Sequence, residues 1–256
     1  MIRSFAARNL SARQKSNIRN IAYRLGGYVR RPVEALVEDV VLHDGARTFL
    51  QIGANDGYLS DPLNLAIFRH KLTGTFVEPQ ANYYRELQKT YRDFPGMRFL
   101  QYAIAEASGA MTMYTLDCSG GRLPGWAQGV GTLSGEQIRK FGDQIEDIES
   151  YIRADEVQCI TVADLLDRAA HPDPDIVVVD AEGFDHAILR QFDFGRLSTK
   201  LVIYETESMT GADAADLAQR LEEGGFAILE ADQDTIAVKR NTETFRRKNA
   251  AASRAA

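Results

Sequence analysis

Three short segments place glycines and carboxylates where an apolar run stops, the pattern from which a ligand site at a sheet edge is built. In FLQIGANDGYLSDPL, residues 49–63, an apolar run ends at Ile52, and a Gly-x-x-x-Gly turn from Gly53 to Gly57 leads toward a helix. Glycines at the carboxyl end of a parallel strand let the backbone come close to a bound cofactor. In TFVEPQ, residues 75–80, Glu78 closes an apolar run 21 residues after Gly57. An acidic side chain at about that spacing is the usual acceptor for the ribose hydroxyls of a nucleotide-type cofactor, and a carboxylate can accept from two hydroxyls at once. In DIVVVDAEGFDHAIL, residues 175–189, a strongly apolar run ends in Asp180, followed by Glu182, Gly183 and Asp185. Carboxylates at such a strand end lie where ligands bind in open α/β sheets, and one of them can take a proton from an acceptor. Each segment also has a plainer reading: an ordinary strand-to-helix turn, a solvated glutamate, a helix N-cap. The joint occurrence of all three in this order favours the ligand site.

These residues need a sheet to bring them together, and the chain supplies one. Short β-rich runs at 48–52, 74–77, 98–104, 176–179 and 201–204 alternate with helical stretches near 62–71, 80–91, 161–170 and 184–191. The continuous apolar run IVVV at 176–179 suits a central parallel strand covered on both faces. Alternating β and α elements imply an α/β, doubly wound, Rossmann-like sheet with helices on both faces. Val33, Leu36, Val37 and Val40 recur at helical spacing behind Pro32, which predicts a helix over 33–42. Near the end, a helix over 212–223 is followed by runs at 226–230 and 235–238 that predict a closing antiparallel hairpin.

Residues 117–156 break this rhythm. They hold Gly120, Gly121, Pro124, Gly125, Trp126, Gly129 and Gly131, then an acidic stretch with Glu136, Asp143, Glu146, Asp147 and Glu149 that reads as helical. An insertion this long, placed after the third strand, suggests a lid or binding loop, with a plain surface excursion as the alternative. Trp126 is the chain's one tryptophan, and an aromatic face suits the C–H face of a sugar. The expected organisation is a basic N-terminal extension (1–31), a main domain (32–240) carrying the 117–156 insertion, and a basic C-terminal tail (241–256).

With 256 residues, 45% hydrophobic and 26% charged, the chain has an ordinary globular composition. No apolar run approaches the ~18 residues needed to span a bilayer, and the start lacks the apolar core of a secretory signal. Cys118 and Cys159 stand far apart with no CxxC pairing, which suits a reducing compartment and a cytoplasmic location. His43, His70 and His171 show no ligand spacing, so no required metal is expected. The net charge of −6 hides an asymmetry: residues 1–31 carry eight Lys/Arg and no Asp or Glu, while 239–256 carry six Lys/Arg against Glu243. An acidic middle argues against nucleic acid as a partner of the folded domain. The basic ends suit solvated tails, with weak contact to a membrane surface, RNA contact or a mitochondrial transit signal as alternatives.

The succession GANDG, VEP, AIAEASG (103–109), VxxITVADLL (157–166), DAEGFDHAIL and VIYET (202–206) resembles the FkbM methyltransferases over about 48–240, and LPGWAQGVGT (123–132) resembles a loop carried by some of them. The resemblance implies a seven-stranded class I methyltransferase sheet, mostly parallel with a C-terminal antiparallel hairpin. It implies S-adenosylmethionine as cofactor and, for many members, methylation of a hydroxyl on a sugar, glycan or natural-product-like small molecule. Carried over by position, Gly53, Asn55 and Gly57 would line the methionine and ribose side, Glu78 would hold the ribose, and Ala103 and Ile104 would flank the adenine. Asp180 and Glu182 would face the methyl group; Trp126, from the residues of the insertion and not from this carry-over, is the candidate acceptor-binding residue. Candidate bases are Asp180, Glu182 and Glu205, in that order, and His186 is expected to be a surface or packing residue. Three positions depart from the pattern: Gln51 stands where an acidic residue is common, Thr206 where related sequences tend to have His, and Thr132 where Ser is usual. Two rival functions are a nicotinamide-dependent oxidoreductase and a non-catalytic binding protein on a degenerate methyltransferase fold. Against the first, the turn is GANDG and not GxGxxG, and no tyrosine is followed by Lys four positions on. Against the second, both Glu78 and Asp180 are retained.

Overall fold

The computed structural model describes residues 10–231 and 234–255. From its N-terminus the described chain forms α1 (Ala12–Arg24), α2 (Pro32–His43), β1 (Thr48–Ile52), α3 (Asn64–His70), β2 (Thr73–Val77), α4 (Ala81–Tyr91), β3 (Met97–Leu100), β4 (Ala103–Ile104) and β5 (Gly109–Leu116). Then come β6 (Gly131–Thr132), α5 (Gly135–Lys140), β7 (Ile152–Ile160), α6 (Val162–Arg168), β8 (Ile176–Val179), α7 (Asp185–Leu189), β9 (Leu201–Glu205), α8 (Gly211–Glu223), β10 (Phe226–Ala231), β11 (Asp234–Lys239) and α9 (Glu243–Ala255).

Strands that are apolar on both faces must be covered on both. Phe49 of β1 and Val178 of β8 pack into one core with α2, α3 and α4, while Leu50, Ile52, Val177 and Val179 pack into a second core with α6, α7 and α8. The result is a seven-stranded sheet in the order β10-β11-β9-β8-β1-β2-β3. The pairs from β9 through β3 are parallel, and β11 runs antiparallel to both β9 and β10. This is the expected mostly parallel sheet with its C-terminal hairpin.

Three expectations change. The run at 98–104 is two strands, β3 in the main sheet and β4 in a second sheet, because the chain leaves the main sheet at Gln101 and Tyr102. The second sheet, β4-β7-β5-β6, is built on a long antiparallel pairing of β5 with β7 that runs from Gly109↔Cys159 to Leu116↔Ile152. The insertion therefore springs from the end of this hairpin and not directly from the third strand. Its acidic stretch is helical only in α5 and two short 3-10 turns, interrupted where Asp147 takes a left-handed backbone (φ 56°). Leu116, Ala127, Val130, Ile138, Ile145 and Ile148 give it a small core of its own.

The basic ends are not simply solvated tails. Residues 1–9 of the N-terminal extension lie outside the described residues, but α1 is capped by Ser11 and Gln14 and docks on α3 and α4. Arg13 pairs with Asp93, Arg30 with Glu38 and Arg31 with Glu34, so acidic residues of the domain neutralise much of its charge. At the other end, Asp44 accepts from the main-chain N–H groups of Glu243 and Thr244, which seats the start of α9 beside α2.

Candidate active site

The carboxyl ends of β1, β2 and β8 meet at a point that only glycine can occupy. Gly53 follows β1 with φ +76°, and a Cβ there would lie 1.7 Å from the Asp180 carbonyl oxygen. The Asp180 N–H donates to Ile52 O (3.0 Å), and the Gly53 and Ala54 N–H groups donate to Val77 O (3.0 and 3.1 Å). Glu78 follows β2 and is only 3% exposed. Its two carboxylate oxygens accept separately, Oε2 from Asn55 N–H and Oε1 from Gln80 N–H, both at 2.8 Å. Each oxygen keeps a lone pair for a further donor. Burial pushes this carboxyl up to about 7 against the pull of the two N–H donors, with Asp180 and Asp56 adding to the rise.

One cavity opens over these strand ends. Gly53, Asn55, Glu78, Ala103, Ile104, Trp126, Asp180 and Glu182 all line it. Gly57 and Glu205 do not. Gly57 packs against Tyr91 and Leu87 of α4, which explains the need for a small residue without a ligand. Glu205, the last residue of β9, acts on Asp180 through charge.

The far wall of the cavity is acidic. Asp180 lines the cavity and is exposed, yet its carboxyl stands among densely packed protein atoms. That desolvation, with the charges of Glu205 and Asp234, raises its carboxyl to about 7. Glu182, on a left-handed backbone (φ 47°), is raised to about 8 by burial and by Asp180, Glu205 and Glu207. Burial and the Asp180 charge also hold Asp185 well above the usual carboxylate range. Asp185 ties two strand ends together by accepting from Ala181 N–H (3.1 Å) and Glu205 N–H (3.4 Å). The sequence shows Asp185 only as a third acid in a row. This bracing role needs the α7–β9 contact to be seen.

The insertion forms the roof. Gln80 Nε2 donates to Gly129 O (2.8 Å), and the Asn55 side chain fills the space of any side chain at Gly129, 1.8 Å from where its Cβ would lie. Trp126 sits in a 3-10 turn, leans on Phe141 with ring centroids 5.3 Å apart, and stays 43% exposed. A tryptophan this exposed is no core anchor. Trp126→Ala is therefore expected to leave the melting temperature nearly unchanged while raising acceptor KM or lowering kcat. A core truncation would instead cost ~3 kcal/mol or more, so a clear loss of thermal stability with kinetics intact would contradict this.

Asp61 becomes visible only in the structure, which also gives Gln51, His186, Thr206 and Thr132 their surroundings. Gln51 is 3% exposed and lines the cavity, and its Oε1 has no hydrogen-bond partner. Asp61, also on the cavity wall, is buried. Its Oδ1 accepts from Leu63 and Asn64 N–H and its Oδ2 from the Tyr91 hydroxyl, and burial raises it to about 6. Its position three residues before Asn64, where α3 begins, is the sequence signal for that capping role. His186 faces α8, with Nε2 2.9 Å from Asp216 and Nδ1 3.5 Å from Asp213, away from the cavity. The Thr206 hydroxyl meets that of Thr235 at 3.1 Å. The Thr132 hydroxyl accepts from Ser134 N–H (3.2 Å), a bond that serine could also make.

A sheet of this order, closed by an antiparallel strand, with a glycine turn and an acidic strand end in its β1–β2 crevice, defines the class I methyltransferase fold. The chain belongs to the FkbM family: the Methyltransferase FkbM domain matches residues 51–228. Among solved structures, an FkbM methyltransferase from Methylobacillus flagellatus KT is similar at 15% identity and TM-score 0.49, over 82% of this chain and 48% of that one. A precorrin-6y C5,15-methyltransferase from Geobacter metallireducens GS-15 is similar at 12% identity and TM-score 0.39, over 81% and 87%. Cofactor-bound Rv0187 from MTB is similar at 12% identity and TM-score 0.42, over 93% and 96%. No curated protein matches the sequence.

Proposed function

We propose that this chain uses S-adenosylmethionine to methylate a hydroxyl on a sugar, glycan or natural-product-like acceptor. The observation that carries the reading is Glu78: a buried carboxylate, held by two main-chain N–H groups, opposite Asp180 across the Gly53 crossing. The residues suit the cofactor. Glu78 offers the acceptor pair for ribose hydroxyls, Gly53 leaves the backbone bare, and the unpartnered Gln51 Oε1 suits an amino group. When bound, the cofactor supplies a methyl group activated by a positively charged sulfur.

The chain's own part is then to align and to handle a proton. Asp180 would orient the acceptor hydroxyl and take up its proton, with Glu182 beside it. Alignment of acceptor oxygen and methyl carbon supplies much of the rate, and the positioned base adds ~10²–10⁴-fold. Trp126 offers an apolar face to the acceptor, and the roof limits water at the reacting carbon.

Titration calorimetry separates this from its rivals. Saturable heat is expected with S-adenosylhomocysteine and none with NAD. Binding of NAD alone would mark an oxidoreductase, and binding of neither would mark a degenerate scaffold.

A further inference from the structure

The helix α1 is amphipathic in the opposite sense to one that docks by apolar burial. Its inward face buries Ala12 and Ser16 and is otherwise held by polar and aromatic side chains. Ser16 is buried and accepts from Asn64 Nδ2 (2.9 Å). Arg19 pairs with Asn64 and with Glu34 (3.6 Å), and lies over the Tyr58 ring at 4.5 Å. Tyr23 lies under the Arg69 guanidinium at 4.2 Å. The outward face carries Ile18 and Ile21, continued by Leu25 at the C-cap, spaced i, i+3, i+7 and exposed by 53, 56 and 81%, with Val29 just beyond at 89%. A helix turns such residues outward where something apolar meets them.

Charge identifies what that is. Residues 1–31 contain eight Lys/Arg and no acid; Arg13, Arg19, Arg30 and Arg31 pair with acids of the domain, Arg3 and Arg8 lie outside the described residues, and Lys15 and Arg24 are the two left in α1. Lys15 and Arg24 flank the apolar stripe, and Arg24 makes no ion pair among the described residues. The second basic segment lies on the same side of the sheet, where α9 packs beside α2, the helix that carries Leu42 at 58% exposure. A second copy of the chain fits poorly. A stable interface uses ~20–30 residues a side, far more than this stripe offers, and a twofold contact would set like charges against each other. An apolar stripe between basic flanks is instead the surface that lies in the headgroup region of an anionic bilayer. No described helix is long and apolar enough to cross a membrane.

We infer that α1 docks the enzyme onto anionic lipid, with Ile18, Ile21 and Leu25 entering the headgroup layer and Lys15 and Arg24 meeting lipid charge. The test is flotation of the full chain with vesicles of phosphatidylcholine alone and of phosphatidylcholine with phosphatidylglycerol. Binding is expected to the anionic vesicles only and to weaken with added salt. The triple variant Ile18→Ser, Ile21→Ser, Leu25→Ser is expected to bind at least about tenfold less, with an unchanged melting temperature because these side chains are already exposed. Arg24→Glu, which removes no packing, is expected to lower anionic binding as well. Equal binding to neutral vesicles, no binding to anionic ones, or full binding by both variants would overturn the inference. So would light scattering that shows a wild-type dimer made monomeric by the triple variant, which would assign the stripe to self-association.

Discussion

Asp180→Asn is expected to lower turnover by about 10²–10⁴-fold while changing cofactor affinity by less than about tenfold. The amide keeps the size of the side chain but cannot take a proton. The wild-type pH profile carries the second half of the argument. Protein surroundings and the nearby acids raise Asp180 to about 7 and Glu182 to about 8. A base must be unprotonated to act, so kcat should rise as pH increases through about 7. The protons leave this acidic group in steps that belong to the group as a whole, so the profile is broad. Asp180→Asn should flatten its lower limb. Wild-type turnover in the variant would place the base elsewhere, and a low turnover with an unchanged profile would reduce Asp180 to an orienting role.

Glu78→Ala is expected to weaken S-adenosylhomocysteine binding by at least about tenfold, since each charge-assisted hydrogen bond contributes ~1.5–3 kcal/mol. The fold should hold. The substitution strands the Asn55 and Gln80 N–H groups, but it also relieves the burial that raises this carboxyl to about 7. Calorimetry of the variant against wild type reads the affinity, and a melting curve reads the fold. An unchanged dissociation constant would remove Glu78 from the site.

The parts of the molecule that were legible in the sequence are those that apolar runs specify. β1 and β8 fall at 48–52 and 176–179 as expected, because strands buried on both faces carry uninterrupted apolar residues. The site residues at such strand ends follow directly, which is why Glu78 after β2 and Asp180 after β8 stand out. β7 left no such trace: its residues are mostly exposed, so IRADEVQCI shows no apolar run. Without β7, the β5–β7 hairpin and the footing of the insertion could not be seen. The docking of α1 was hidden for the opposite reason, since its inward face is held by Ser16 and Arg19 and hydrophobicity marks only its outward one. Gly57 illustrates a third case, in which a motif glycine serves packing against Tyr91 instead of lining the cavity.

The β5–β7 stem has a consequence for how such an enzyme can change. Leu116 and Ile152 are paired across it, so residues 117–151 begin and end side by side. The entropy of closing a loop grows only slowly with its length. The excursion also carries its own small core. Its length and composition can therefore drift, or be exchanged for another cassette, at little cost to the seven-stranded sheet. The roof meets the elements after β1 and β2 at restrictive points, Gly129 against Asn55 and Gly131 against Gln80, and Gln80 also donates to Gly129 O. A lineage that keeps these two glycines can reshape much of the roof while the seven-stranded sheet stays as it is, and under the proposed function such changes would alter which acceptor is methylated.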